Sequence, residues 1–146
     1  EPGGVFGDVL GGSSLASPVT VLAATACEVL LLPQEKLTST CGKACDCHRI
    51  LIENMLSLIS RKAFALSERV EVLSCRSTRE KLLCYFRICA YESRSLSFTL
   101  PFTLSALADY ICADRSAMMR ELGHMRAAGL VCTQGRRVAL PDPHLP

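Results

Sequence analysis

The sequence lacks any continuous apolar run of the roughly 20 residues that a membrane-spanning helix needs, although 49% of its 146 residues are hydrophobic. It also lacks a strong charge of either sign, because 16 Lys and Arg against 14 Asp and Glu give a net charge of only +2. That balance is by itself no argument for a polyanionic partner. The first residues are neither a basic leader nor an apolar signal core. We therefore expect no membrane partner, and a chain that begins inside a longer protein.

The sequence is equally poor in the residues of catalytic sites. Its three histidines are His48, His124 and His144, and none stands in a plausible triad context with a nucleophile. Glycines gather only near the start of the chain, where no helix follows to complete a phosphate-binding loop. We expect that the protein is not an enzyme.

Cysteine is abundant, with nine in the chain. The count is odd, the chain exceeds mini-protein size, and most of these residues are scattered singly through apolar segments. This pattern favours reduced thiols and a cytoplasmic protein over a secreted disulfide framework.

Residues 1–32 of the segment 1–36 have the composition of strands. The runs Val19–Leu22 and Val29–Leu32 are β-branched and aliphatic and follow glycine and serine, so we predict two strands here. Two or three strands cannot close a core of their own. The segment is interpreted as the C-terminal end of a larger, truncated β domain.

Residues 41–74 contain a long helical pattern. From about Ala44 to Leu73, apolar side chains recur at intervals of three and four without an intervening Gly or Pro. About thirty residues would span roughly 45 Å, and the apolar band is wide enough to contact both its own chain and a second one. An intramolecular core helix is the alternative. The dimerisation hypothesis assigns five residues to the interface: Leu51, Ile52, Met55, Ile59 and Leu66.

The order of predicted helices and strands in residues 75–141 indicates a winged helix-turn-helix. Ser77 and Glu80 form a capping box at the start of one helix, and a short strand follows over Ser95–Leu100. Thr103 and Asp114 can each cap a further short helix, and only Cys112 and Ala113 separate these two helices, which forces a sharp crossing. After Gly129, the segments 130–133 and 137–140 predict a hairpin with its turn at Gln134-Gly135.

The second of these short helices has the chemistry of a DNA-reading element. If Asp114 caps it, Arg115, Ser116, Met119 and Arg120 lie on the side opposite its apolar residues. Arginine can bind guanine at O6 and N7, serine can donate or accept at a base edge, and Met119 could contact a thymine methyl. Five arginines lie from residue 115 to 137 against the single acid Glu121, a local excess that suits phosphate contacts. The alternative is that these side chains are the solvated face of a surface helix.

The motifs of this region resemble those of a known family. The string LADYICADRSAMMREL over 107–122, followed by MRAAGL over 125–130, is similar to the recognition segment of Crp/Fnr-type bacterial transcription regulators. Three other parts of the chain also resemble that family. The dimer helix of the family is similar to Ala44-Cys45 with His48 and the segment 51–56, and the helix after its hinge is similar to the segment 79–83. The end of its β-roll is similar to the segments 1–8 and 17–21. The resemblance implies an α+β fold made of a β-roll remnant, a long dimerisation helix and a winged helix-turn-helix.

The same resemblance implies a cytoplasmic, homodimeric and effector-responsive regulator that binds double-stranded DNA at an interrupted palindrome, with RNA polymerase as a further partner. The residues expected at the DNA are Thr103, Ser105, Asp114, Arg115, Ser116, Met119, Arg120, Arg136 and Arg137. Two positions depart from the family pattern. Leu104 replaces a commonly basic residue, so one phosphate contact is in doubt, and Ser17 stands where members that bind cyclic nucleotides have Arg. The effector is therefore unknown, and cyclic AMP is disfavoured.

A cluster of thiols supports a different function. Cys41, Cys45, Cys47 and His48 lie within eight residues, and thiolates with imidazole suit zinc or an iron–sulfur cluster. Their spacing argues against a closed site, because Cys45 and Cys47 would point to different faces of a helix. The alternative functional hypothesis is a metal- or redox-sensing module that uses these four residues as weak candidate ligands. The competing interpretation is that the thiols pack at the start of the dimer helix.

Overall fold

The computed structural model describes residues 5–7, 20–33 and 46–141. The chain divides into two compact units, Glu1–Ala63 and Phe64–Pro146. The boundary falls within helix α1, which runs over Asp46–Ser74. No helix among the described residues is long and apolar enough to cross a membrane.

In the first unit, the prediction of strands at Val19–Leu22 and Val29–Leu32 is wrong where it can be checked. Residues 20–33 contain neither helix nor strand, and Val19 lies outside the described residues. Leu22 is 84% exposed and Leu30 is 81% exposed. A strand exists only through hydrogen bonds to a neighbouring strand, and no described segment pairs with this one. The aliphatic composition was correct for a strand, but composition does not supply the partner.

The helix predicted from Ala44 to Leu73 is confirmed as α1 over its described residues, although Ala44 lies outside them. Its first turns carry an ion pair between Arg49 Nη1 and Glu53 Oε1 at 2.7 Å. Further along, Lys62 Nζ donates a hydrogen bond to the backbone carbonyl of Val5 at 2.8 Å. Only one α1 side chain, Val72, is buried. Most of the apolar band is thus left partly or fully exposed in the single chain.

Helix α2, Thr78–Ser93, begins with the predicted capping box. Ser77 Oγ accepts a hydrogen bond from Glu80 N at 3.2 Å. In return, Glu80 Oε2 accepts from the backbone N–H groups of Ser77 and Arg76, both at 3.0 Å. These backbone donors stabilise the carboxylate and lower the pKa of Glu80. The start of α2 is therefore fixed immediately after the three residues that separate it from α1.

The remaining elements follow in the predicted order. Strand β1 (Ser97–Thr99) is followed by two helices, α3 (Leu104–Tyr110) and α4 (Arg115–Ala127), and then by strands β2 (Cys132–Gln134) and β3 (Arg137–Ala139). The three strands form an antiparallel sheet of order β1-β3-β2. The second unit is accordingly an α+β winged helix-turn-helix, as the sequence predicts.

The hairpin between β2 and β3 differs from the prediction by one residue. Because Gln134 pairs with Arg137, the two-residue turn is Gly135-Arg136 rather than Gln134-Gly135. Gly135 has a φ of +60°, and glycine at the first central position of a two-residue hairpin is typical of a type II′ turn. The shift places Arg136 in the tip of the wing.

The core of the second unit joins all of its elements. Phe86, Leu82, Leu107, Met118 and Met125 are completely buried, so α2, α3 and α4 share one apolar interior. The sheet closes it with Phe98, Leu100, Val131, Val138 and Leu140, all at most 7% exposed. No helix or strand of this small unit has a core of its own, and we expect it to unfold cooperatively.

A pair of substitutions on α2 tests this core. Leu82→Ala should lower the free energy of unfolding by about 2–5 kcal/mol, because it removes buried contacts and leaves a cavity. Tyr91→Ala, at a position that is 84% exposed, should change it by no more than about 0.5 kcal/mol. Urea unfolding followed by circular dichroism measures both values. Equal effects from the two substitutions would contradict the core described here.

Candidate nucleic-acid interface

The connection between α3 and α4 sets the geometry of the site. Helix α3 ends at Tyr110, and Cys112 takes the left-handed conformation with a φ of +51°. This conformation is uncommon for a residue other than glycine. The backbone N–H of Ala113 then donates to the carbonyl of Ala108 at 3.0 Å. The chain reverses sharply within a few residues, as the predicted crossing requires.

Both helices of the motif have the N-terminal caps that the sequence predicts. Thr103 Oγ1 accepts from Ala106 N at 3.3 Å, and Asp114 Oδ1 accepts from Ala117 N at 2.8 Å. At the other end of α3, Lys81 Nζ donates to the carbonyl of Ile111 at 3.1 Å. A lysine at this position also complements the negative end of the helix dipole. The turn between α3 and α4 is therefore stabilised on one side by the bond from Lys81 to Ile111 and on the other by the cap at Asp114.

Helix α4 has one buried face and one polar face. Met118 and Met125 are 0% exposed and Leu122 is 1% exposed. Arg115, Ser116 and Arg120, which the sequence predicts to face outward, are exposed together with Met119. The predicted division of this helix into two faces is confirmed.

The exposed arginines are available for a partner. Among the described residues, neither Arg115 nor Arg120 takes part in an ion pair. The single acid of this region behaves differently. Glu121 Oε1 accepts from Arg79 Nε at 2.5 Å, and Glu121 Oε2 lies 3.6 Å from His124 Nδ1. The hydrogen bond from Arg79 is the largest cause of a lowered pKa at Glu121. Sequence reasoning missed Arg79, because the two partners lie 42 residues apart.

The wing presents two further arginines. Arg136 and Arg137 are both exposed, while Val138 beside them is 1% exposed. The carbonyl of Arg136 accepts from Leu100 N at 2.9 Å, so the tip of the hairpin is bonded to the end of β1. The backbone of the wing is fixed and its two guanidinium groups extend into solvent.

The start of α3 is less polar than the other candidate positions. Thr103 is exposed and Ser105 is half-buried. Leu104 packs against the hydrophobic core.

The five residues predicted at a dimer interface lie along α1. Leu51 and Met55 are half-buried. Ile52 and Ile59 are each 38% exposed, and Leu66 is 61% exposed. The single chain thus leaves apolar side chains uncovered at the predicted positions.

The thiol cluster lies partly outside the described residues, which exclude Cys41 and Cys45. Cys47 and His48 lie in the first turn of α1, where Cys47 is exposed and His48 is half-buried. Within the described ranges, no three potential metal ligands come together, and the seven described cysteines are free thiols. The metal-site hypothesis stays a hypothesis.

Comparison with known proteins agrees with this geometry. Residues 80–145 match the family model of the Crp-like helix-turn-helix domain. A solved structure of a CRP-family transcriptional regulator from Thermus thermophilus is similar in fold, with a TM-score of 0.51 and 19% sequence identity. The match covers 69% of this chain and 53% of that regulator, so the chain spans about half its length. A search of curated proteins finds no match. The resemblance to Crp/Fnr-type regulators is confirmed over residues 80–145, and the solved structure shows a similar fold.

The cap of α4 can be tested apart from DNA. Asp114→Ala should lower the free energy of unfolding by about 1 kcal/mol, because the backbone N–H of Ala117 loses its acceptor. Asp114→Asn should keep most of that stability, since an amide oxygen can accept the same bond. Asp109→Ala is a matched control, because it removes an exposed aspartate near the C-terminal end of α3. Chemical denaturation compares all three. A loss for Asp109→Ala as large as that for Asp114→Ala would contradict the capping role.

Proposed function

We propose that this chain, whose residues 80–145 carry a Crp-like helix-turn-helix domain, is the C-terminal part of a cytoplasmic transcription regulator that binds DNA as a homodimer. The observation that carries the proposal is the exposed face of α4. Its arginines, a serine and a methionine stand opposite a fully buried apolar face, on a helix of 13 residues. A capped helix of this kind fits the major groove of B-DNA.

The side chains of the first two turns of α4 would contact the bases directly. Arg120 and Arg115 would each make paired hydrogen bonds to a guanine, the commonest specific arginine contact. Ser116 would bond a base edge or a phosphate, and Met119 would contact a thymine methyl. Asp114 acts differently, because its carboxylate already accepts from Ala117 N. It orients the arginines that follow it and contributes to binding through them.

The elements around α4 would contact the phosphate backbone of the DNA. Arg136 and Arg137 at the wing can meet phosphates, which positions the domain without reading sequence. Thr103 and Ser105 lie at the start of α3, and their hydroxyl groups suit phosphate oxygens. The wing and α3 would thus flank the recognition helix on the DNA surface.

Dimerisation falls to residues 41–74. The uncovered apolar residues of α1 require a partner surface, and a second copy offers the same surface by two-fold symmetry. Residues 1–36 would be the end of an effector-binding β-roll, and 75–141 the DNA-binding domain. In the complete regulator, a small-molecule effector would change the relative placement of the two recognition helices, and with it the affinity for an operator and contact with RNA polymerase.

The dimer is tested by charge substitution on α1. The double variant Met55→Glu/Ile59→Glu should weaken dimerisation by at least about 2 kcal/mol, because association would bury unpaired carboxylates. Ser57→Glu/Ser60→Glu adds the same charge at exposed polar positions of α1 and should leave the dimer intact. Sedimentation velocity at micromolar concentration reports the assembly. A parent chain that sediments only as a monomer would refute the dimer proposal.

The DNA sequence that is read can be found by selection from a random duplex library. We expect an interrupted palindrome whose half-sites lie about one helical turn, or about 34 Å, apart. Arg120→Ala should cost roughly 1–3 kcal/mol on the selected duplex and relax preference at one base pair per half-site. Arg136→Ala and Arg137→Ala should instead weaken all duplexes alike and lower the salt dependence by about one unit for each lost contact. No enriched palindrome, or an Arg120→Ala profile equal to that of the parent, would defeat the assignment of α4 as the reader.

A further inference from the structure

One ion pair joins the first turn of α2 to the middle of the recognition helix. Arg79 Nε donates to Glu121 Oε1 at 2.5 Å, and the Glu121 side chain is only 23% exposed. Arg79 directly precedes Glu80 of the capping box, whose bonds to Ser77 and Arg76 hold this turn of α2 in place. The guanidinium is therefore attached to a fixed point of the domain.

Glu121 stands where an unpaired carboxylate would oppose DNA binding. It directly follows Arg120, and it is the only acidic residue from 115 to 137. A negative charge on a helix that enters the groove repels the phosphates that the neighbouring arginines attract. Arg79 stabilises the ionised carboxylate, and the lowered pKa of Glu121 is consistent with this pairing. The negative charge of α4 is thus met by a cation from its own chain, which leaves Arg115 and Arg120 free for DNA.

The pair also supplies a directional contact that the core does not. Helix α4 is anchored on its buried face by Met118, Leu122 and Met125. Apolar contacts are non-directional, and methionine side chains adapt their shape readily. The charge-assisted hydrogen bond from Arg79 has a preferred direction, so it adds to the restriction that the core places on the rotation of α4 about its axis. Small rotations of this helix would displace both Arg115 and Arg120 from a base edge.

We propose that Arg79 is a positioning residue for DNA readout, acting through Glu121 to set the rotation of α4 and to neutralise its single carboxylate. This inference rests on the proposed DNA-binding function. It assigns specificity to a residue that lies outside the helix-turn-helix motif, in the helix that follows the dimer helix.

A positioning role and a purely electrostatic role of Glu121 predict different effects of replacing this residue by glutamine. If only net charge mattered, Glu121→Gln would tighten binding to every duplex, and the ratio of affinities for the selected and a random duplex would stay constant. If Glu121 holds α4 in register, that ratio falls, because contacts with bases suffer more than contacts with phosphates. The affinity ratio is therefore the measurement that separates the two roles.

The experiment measures dissociation constants for the selected duplex and for a random-sequence duplex of equal length, at one salt concentration. Arg79→Gln and Glu121→Gln should each lower the affinity ratio about two- to fivefold, the range for a solvent-accessible ion pair. The exchange Arg79→Glu/Glu121→Arg should recover most of the ratio. Arg87→Gln is the matched control, because it removes an exposed arginine from the same helix and should leave the ratio unchanged. Thermal unfolding of each variant confirms that it is folded at the assay temperature.

Two results would overturn the inference in distinguishable ways. If the parent discriminates between the duplexes but Arg79→Gln and Glu121→Gln leave the ratio equal to that of Arg87→Gln, the positioning role is wrong while DNA readout stands. Failure of the charge exchange to recover the ratio overturns the pairwise role in the same way. If the parent itself fails to discriminate, the proposed function fails and this inference fails with it.

Discussion

The burial of one face of α4 is the constraint on which the candidate interface depends. Met118, Leu122 and Met125 occupy the common core with at most 1% exposure. A helix whose apolar face is fixed in this way must present its opposite face to solvent. Arg115 and Arg120 gain their orientation from these buried neighbours and, in our proposal, from the Arg79–Glu121 pair on the same helix. A substitution in the core is therefore expected to disturb this exposed face without replacing any of its residues.

The same core extends into the end of the proposed dimer helix. Val72 of α1 is completely buried among residues of the DNA-binding unit. Three residues earlier, the Arg69 guanidinium carbon lies 5.2 Å from the centre of the Tyr110 ring, a cation–π contact at the end of α3. The last turns of α1 and the first helix of the motif are thus physically connected. A displacement of this end of α1 would have to carry α3 with it or break these contacts.

Elements that depend on neighbouring residues could be predicted from the sequence, and those that depend on distant partners could not. The caps at Ser77, Thr103 and Asp114 were correct because a capping side chain bonds a backbone group three residues ahead. The outward face of α4 was correct because helical periodicity alone determines it. The strands expected within residues 20–33 were wrong because pairing needs another segment. The ion pair of Arg79 could not be predicted because no local pattern relates Arg79 to Glu121, 42 residues away.

We propose that the α4 helices of the two subunits lie in the major grooves of two successive half-sites, and methylation interference at guanine N7 tests this placement most directly. N7 lies on the major-groove edge, where arginine bonds guanine. We expect that methylated guanines block binding in two symmetric clusters of the selected duplex, with centres about 10 base pairs apart. Binding that tolerates guanine N7 methylation throughout the duplex, but is blocked by methylation of adenine N3 in the minor groove, would contradict it.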